Sequence, residues 1–233
     1  MPKLFLIPNS VEQSGRDTLS FDLVIIASVR YFFVEEPKAA RALLKRTLKD
    51  FPLAQCMYYD LNEHTTMADI HTYSDIIKAH DTGIISEAGC PCVADPGAEL
   101  VLLAHKNNVE VVPLVGPSSI LLALMSCGLN GQDFAFNGYL PKDEKERVIK
   151  IKSLELRVLK ENQTQIMMET PYRNMSLWEQ LLKTLQSKTY LSIAVDILGP
   201  NQMIKTCTVG EWQKINLQLP KKPALFIMGK SSF

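Results

Sequence analysis

Neither sign of charge prevails in this chain: 25 Lys and Arg stand against 25 Asp and Glu. A strongly basic balance is the usual footprint of a nucleic-acid binder, so any polyanionic partner must be met by a local patch. Cysteine is sparse and unpaired in pattern, at 56, 90, 92, 127 and 207, with no CxxC spacing. That excludes a disulfide framework, and His64, His71, His80 and His105 supply no zinc-like spacing, so no metal is expected. The apolar run LFLI after Lys3 is far too short for a secretory leader, and reduced thiols in a cytoplasmic protein are the expectation. The long apolar stretch 111–129 is broken by Pro113, Gly116 and Pro117 into a strand and a short helix, which argues against a membrane span. Internal repeats and low-complexity segments are also missing.

What the chain does have is an ordinary globular core, 46% hydrophobic over 233 residues, enough for one large domain or two small ones. Its most distinctive stretch is 84–97, IISEAGCPCVADPG, an apolar pair followed by two small turns marked by Gly89, Pro91, Pro96 and Gly97. Glycine permits φ above zero and a close backbone approach, while proline fixes the turn and cannot extend a central strand. The stretch 111–119, VVPLVGPSS, repeats the design and ends with Ser118 and Ser119 opening an apolar helix. Taken singly, such loops are usually mere connections; two of them after successive strands point to one shared pocket.

Apolar runs and breakers place strands at 3–7, 31–35, 54–59, 109–114, 133–139, 164–169, 190–195 and 223–229. Helices are expected at 37–49, 67–79, 99–107, 118–127, 142–161 and 176–186, while 19–29 has the β-branched content of a strand and is expected as a helix only because the family resemblance given below implies one there. Alternation of the two in the first half predicts an open, largely parallel sheet. The expected class is α/β with two α/β domains, 1–115 and 116–233. Helix 37–49 has a basic surface (Lys38, Arg41, Lys45, Arg46 and Lys49) that reads as a solvated face or as a contact for a phosphate backbone.

SEAGCPCVADPGAEL followed by VVPLVGPSS resembles the signature of the tetrapyrrole-methylase family of S-adenosylmethionine-dependent methyltransferases. It is most similar to the branch that methylates a ribose 2′-hydroxyl in small-subunit ribosomal RNA. Further likenesses are DLNE at 60–63 to DHNE, NGYLP at 137–141 to FEGFLP, METPYRN at 168–174 to YEAPHR, and 196–212 to the ELTK…GTLAEL region. Leu61, Tyr172 and Gly199 replace histidine, histidine and lysine. The loop after Pro8 keeps only Gly15 and Asp17 of a glycine-containing pattern, with Glu12 or a neighbour at the first glycine, and Glu35 and Glu36 stand where that family has an acidic pair.

The resemblance implies two α/β domains with the donor in a cleft between them, usually as a homodimer. It implies donor contacts from Pro8, Glu87, Ala88, Gly89, Cys90, Cys92, Ser118, Ser119, Met168, Glu169, Thr170, Pro171, Ala194, Asp196 and Pro223. Transfer of a methyl from sulfur needs alignment more than a nucleophilic triad, and none is visible. Glu63 is a candidate to orient or deprotonate the acceptor hydroxyl, with helix capping around Asn62 and Thr65 as its bland alternative. Partners implied are S-adenosylmethionine and ribosomal RNA or the small ribosomal subunit. Two alternatives stay open: methylation of a tetrapyrrole or other small molecule, and a non-catalytic donor-binding or RNA-associated protein of the same fold.

Overall fold

Strands here are short apolar runs whose alternate residues face opposite layers, and that alternation organises each half of the chain. A computed structural model describes residues 1–11 and 23–231. Glu12, Gly15 and Asp17, with the front of the expected 19–29 helix, lie outside the described residues. Contacts divide the chain into two compact units, Met1–Ser118 and Ser119–Phe233.

In the first unit, β1 (Lys3–Ile7), β2 (Tyr31–Val34), β3 (Met57–Asp60), β4 (Thr82–Ile85) and β5 (Glu110–Pro113) form a sheet ordered β3-β2-β4-β1-β5. Every pairing in it is parallel. Phe5, Ile7, Phe32, Val34 and Ile85 pack on one face, with Ile26 of α1 (Leu23–Ser28) and Ala40, Leu43 and Leu44 of α2 (Pro37–Thr47). Leu4, Phe33 and Ile84 pack on the other, against Ile70 and Ile77 of α3 (Met67–Ala79) and Leu100 and Ala104 of α4 (Ala98–Lys106). A sheet buried on both faces explains why its strands read as continuous apolar runs.

Caps set several boundaries. The carboxylate of Glu36 accepts from the Lys38 amide with Pro37 at the first helical position, and Thr66 with Asp69 forms a capping box that starts α3. One expectation needs correction: Ala54 and Gln55 are not strand but a single 3-10 turn (Leu53–Gln55), and β3 begins at Met57 opposite Tyr31. The turn follows from Pro52, whose carbonyl accepts from the Gln55 amide at 2.9 Å.

The second unit holds β6 (Phe134–Tyr139), β7 (Thr164–Glu169), β8 (Tyr190–Val195), β9 (Met203–Thr208) and β10 (Ala224–Gly229), ordered β6-β7-β10-β8-β9. β6 and β7 are parallel; the other pairs are antiparallel. Buried throughout, β10 forms the centre of this sheet. Its Phe226 faces Ile151, Leu154 and Val158 of α6 (Glu144–Glu161), Trp178 of α7 (Asn174–Thr184) and Trp212 of α8 (Val209–Trp212). Its Leu225 and Ile227 face Ala123, Leu124 and Cys127 of α5 (Ser119–Cys127). Trp212 donates its indole N–H to the Leu191 carbonyl at 2.7 Å, and Trp178 meets it edge-on at 5.0 Å. No described helix is long and apolar enough to cross a membrane.

Candidate functional site

Strand order decides where a ligand can sit in the first unit. From β1 the chain crosses to β2 on one side, and from β4 it crosses to β5 on the other, although β1 and β4 are neighbours. The loops leaving these two strands therefore part, and such a switch point at the carboxyl edge of an α/β sheet is the standard place for a crevice. The loop 86–97 occupies it.

Asn9 closes the base of this crevice. Its backbone exchanges two hydrogen bonds with Gly89, at 2.9 and 3.0 Å, and its amide nitrogen donates to the Ser86 and Glu87 carbonyls. Its side-chain oxygen accepts from Ser10 N–H and from Arg46 at 3.3 Å. The Ser86 hydroxyl donates to the Gly89 carbonyl at 2.9 Å, and the Cys90 thiol to the Pro117 carbonyl at 3.4 Å. A fixed loop results, with Glu87 and Ala88 exposed and Gly89 buried. Sequence reasoning missed Asn9, whose only signal is a polar residue directly after a strand-ending proline.

The same loop holds Gly89, Cys92, Ala94 and Gly97 at positive φ, of 72°, 65°, 62° and 129°. Residues with a Cβ in that region are uncommon and cost roughly 1–3 kcal/mol each, so surrounding structure must impose the bend. A Cβ at Gly97 would stand 2.8 Å from the Cys92 sulfur, which accounts for glycine there. Burial, then Asp95 and Glu99, pushes the Cys92 thiol up to about 11. Cys90 is also raised, by burial first and then Asp95. Both stay protonated thiols, consistent with small residues lining a turn.

Four carboxylates meet at the ends of β2, β3 and β4. Burial first, then Glu35 and Glu87, pushes Asp95 up to about 6, and its Oδ2 is buried with no hydrogen-bond partner among the described residues. Glu35 is raised too, by burial, then Glu87 and Glu63. The Glu63 side chain is 86% exposed and lies 3.7 Å from His64. Asp95 belongs to the DPG turn and was not singled out from sequence, because nothing in its spacing shows that its oxygen goes unpaired.

Asp95 gives the protein a signed pH dependence. A carboxyl whose folded value exceeds its unfolded value of about 3.9 adds stability while protonated, fully below that value, and this is lost as pH rises through about 6. Asp95→Asn should flatten part of the fall in melting temperature between about pH 4 and pH 6. Parallel profiles for variant and wild type would refute the assignment.

In the second unit, Met168, Glu169, Thr170 and Pro171 leave β7 at the edge where β8 gives Ala194 and Asp196 and β10 starts after Pro223. Ala224 pairs with both Glu169 and Val195, and the Asp196 amide donates to the Pro223 carbonyl at 3.2 Å. The Glu169 carboxylate is turned inward, its side chain 2% exposed. It accepts from Arg173 Nη2 on both oxygens at 2.7 Å, from Arg173 Nε at 3.0 Å and from the Thr170 amide at 2.7 Å. What this corner presents to a ligand is backbone rather than the Glu169 charge. Asp196 is likewise engaged, accepting from the Asn201 amide at 3.0 Å, with Lys222 at 4.0 Å. A Cβ at Gly199 would fall on that carboxylate, which explains glycine where the resembling pattern has lysine.

Pro8, Glu87, Ala88, Gly89, Cys90, Cys92 and Ser118 thus lie in the first unit, the loop group joined to Pro117 beside Ser118. Ser119, at the start of α5, lies in the second with the β7, β8 and β10 residues. Among the described residues no group of His, Cys, Asp and Glu could hold a metal ion.

No family model matches the chain. It is 27% identical over 211 residues to ribosomal RNA small subunit methyltransferase I of Vibrio cholerae, covering 90% of this chain and 70% of the relative. The protein of that name from Escherichia coli O157:H7 is 28% identical over 210 residues, with the same coverage, and that from Halalkalibacterium halodurans 33% over 105, 44% of this chain and 36% of the relative. The structure is similar to uroporphyrin-III C-methyltransferase from Thermus thermophilus, with a TM-score of 0.56 at 16% identity over 99% of this chain and 95% of that one. A structure of that enzyme complexed with S-adenosyl homocysteine gives 0.54 at 15% identity, over 97% of each chain.

Proposed function

From a chain that has the tetrapyrrole-methylase fold and is related in sequence to the small-subunit ribosomal RNA methyltransferase I proteins, we propose an S-adenosylmethionine-dependent methyltransferase acting on a ribose 2′-hydroxyl of ribosomal RNA. The observation that carries the reading is the Asn9–Gly89 closure, which fixes the 86–97 loop at the switch point of the sheet. An ammonium- and hydroxyl-bearing donor meets an acceptor of the right chemistry there, the exposed Glu87. Ser118 and Ser119 add hydroxyls at the start of α5. We assign the donor contacts of the second unit to the Met168–Pro171 backbone, Ala194, Asp196 and Pro223.

When bound, the donor supplies a methyl already activated by a positively charged sulfur. The protein's task is alignment and exclusion of water, and alignment alone can supply up to roughly 7–11 kcal/mol. The bent loop suits this, since its own hydrogen bonds to Asn9 and within the turn hold its shape. We assign the proton released by the hydroxyl to the carboxylate cluster. Glu63, whose side chain is 86% exposed just past the carboxyl end of β3, is the group assigned to receive it.

We infer a cytoplasmic homodimer, the compartment supported by five free cysteines and the dimer by the exposed apolar residues Leu121 and Met125 of α5; sedimentation at a monomer's mass would remove the dimer. For the activity, labelled donor is incubated with total RNA and small-molecule extract from cells lacking the protein. Label on a ribose 2′-oxygen of small-subunit RNA is the expected result. Label in a porphyrinoid fraction would move the acceptor to a tetrapyrrole, and donor binding without any transfer would leave a non-catalytic protein.

A further inference from the structure

We propose that the solvent face of α2 is the surface on which the RNA phosphate backbone docks, an inference that rests on the ribosomal RNA reading above. The chain as a whole is neutral, yet α2 (PKAARALLKRT) has four cations and no acid, and Lys49 follows it. Lys38, Arg41, Lys45, Arg46 and Lys49 are all exposed. None joins an ion pair among the described residues. Glu36, the nearest preceding acid, directs its carboxylate to the Lys38 amide as the helix cap. By contrast, α6 alternates its cations with Glu144, Glu146 and Glu161.

Position makes this face more than a solvated helix. Lys38, Arg41 and Lys45 fall on one stripe about 10 Å long at the helical rise. The Arg41 guanidinium sits 4.7 Å over the Tyr58 ring, which limits its rotamers before any partner arrives. Arg46, next to the stripe, donates to Asn9, the residue that closes the 86–97 loop. One end of the basic face therefore touches the base of the crevice where the donor is placed. Positive charge that joins no ion pair among the described residues, leading to that crevice, fits a polyanion whose sugar must enter it.

The test substitutes Lys38→Ala, Arg41→Ala and Lys45→Ala together, leaving Arg46 in place because it touches Asn9. Binding to a small-subunit ribosomal RNA fragment is titrated across salt concentration. Each lost phosphate contact lowers the slope of log K against log salt by about 0.7 for a single strand, so the triple variant should lose about 2. Its affinity at low salt should fall at least tenfold, with donor affinity and melting temperature unchanged. Matching losses from α6 (Lys145→Ala, Lys150→Ala, Lys152→Ala) should leave the slope in place. An unchanged slope in the α2 variant overturns the proposal even where wild type methylates RNA. So does retention of wild type on anionic phospholipid vesicles but not on RNA. Failure of methyl transfer with the slope difference intact would instead sink the catalytic reading alone.

Discussion

Gly116→Ala is expected to weaken donor binding roughly tenfold or more while leaving the protein folded. The added Cβ would fall on the ring of Pro8, a contact no rotamer can relieve because both partners are bound to backbone. Overpacking of this kind costs about 1–3 kcal/mol, relieved here by parting the ends of β1 and β5. Pro8 precedes Asn9, and Gly116 precedes Pro117, whose carbonyl accepts from Cys90. Both displacements therefore reach the 86–97 loop, and 1.4 kcal/mol lost from that arrangement is a factor of ten in affinity. Calorimetric titration with the donor measures it. Wild-type affinity in the alanine variant would detach this corner from the binding site.

Arg173→Ala should produce the largest loss of stability. Glu169 would be left with a side chain 2% exposed and without its guanidinium partner. Removing one member of a buried pair costs about 3–5 kcal/mol, because the remaining charge keeps only the Thr170 donors and has neither water nor a counter-ion. At about 2–4 °C per kcal/mol for a chain of this size, the melting temperature should drop by roughly ten degrees. Adding Glu169→Met should recover much of that, since an apolar pair of similar volume removes the orphaned charge. A single variant that melts within about two degrees of wild type, well below the smallest shift expected of about 6 °C, would show the pair to be dispensable.

Sequence and structure agree best where local chemistry alone sets a boundary. The helix expected at 67–79 begins and ends there, since Thr66 and Asp69 cap it reciprocally. The strands 164–169 and 190–195 are also placed to the residue, being apolar runs framed by breakers. Agreement fails where a distant partner decides. β3 starts at Met57 rather than Ala54 because its register is fixed by β2. β9 (MIKTCT), an edge strand half open to solvent, lacks the apolar run that marks the others. At the candidate site, Glu87, Gly89 and Cys90 stand out as turn chemistry. Asn9 does not, because its bonds reach residues some eighty positions away. Asp95 was missed for a related reason: its raised pKa comes first from burial and then from the Glu35 and Glu87 charges, all of which only folding supplies.

The order β3-β2-β4-β1-β5 also bears on synthesis at the ribosome. β1 is made first, yet both its neighbours, β4 and β5, are made last among the strands of that sheet. A nascent chain that has not passed Thr82 therefore has LFLI with two open edges, and sealing them requires closing loops of many residues. The segment that forms the crevice floor in the finished protein is, during translation, the one most in need of shielding from other chains.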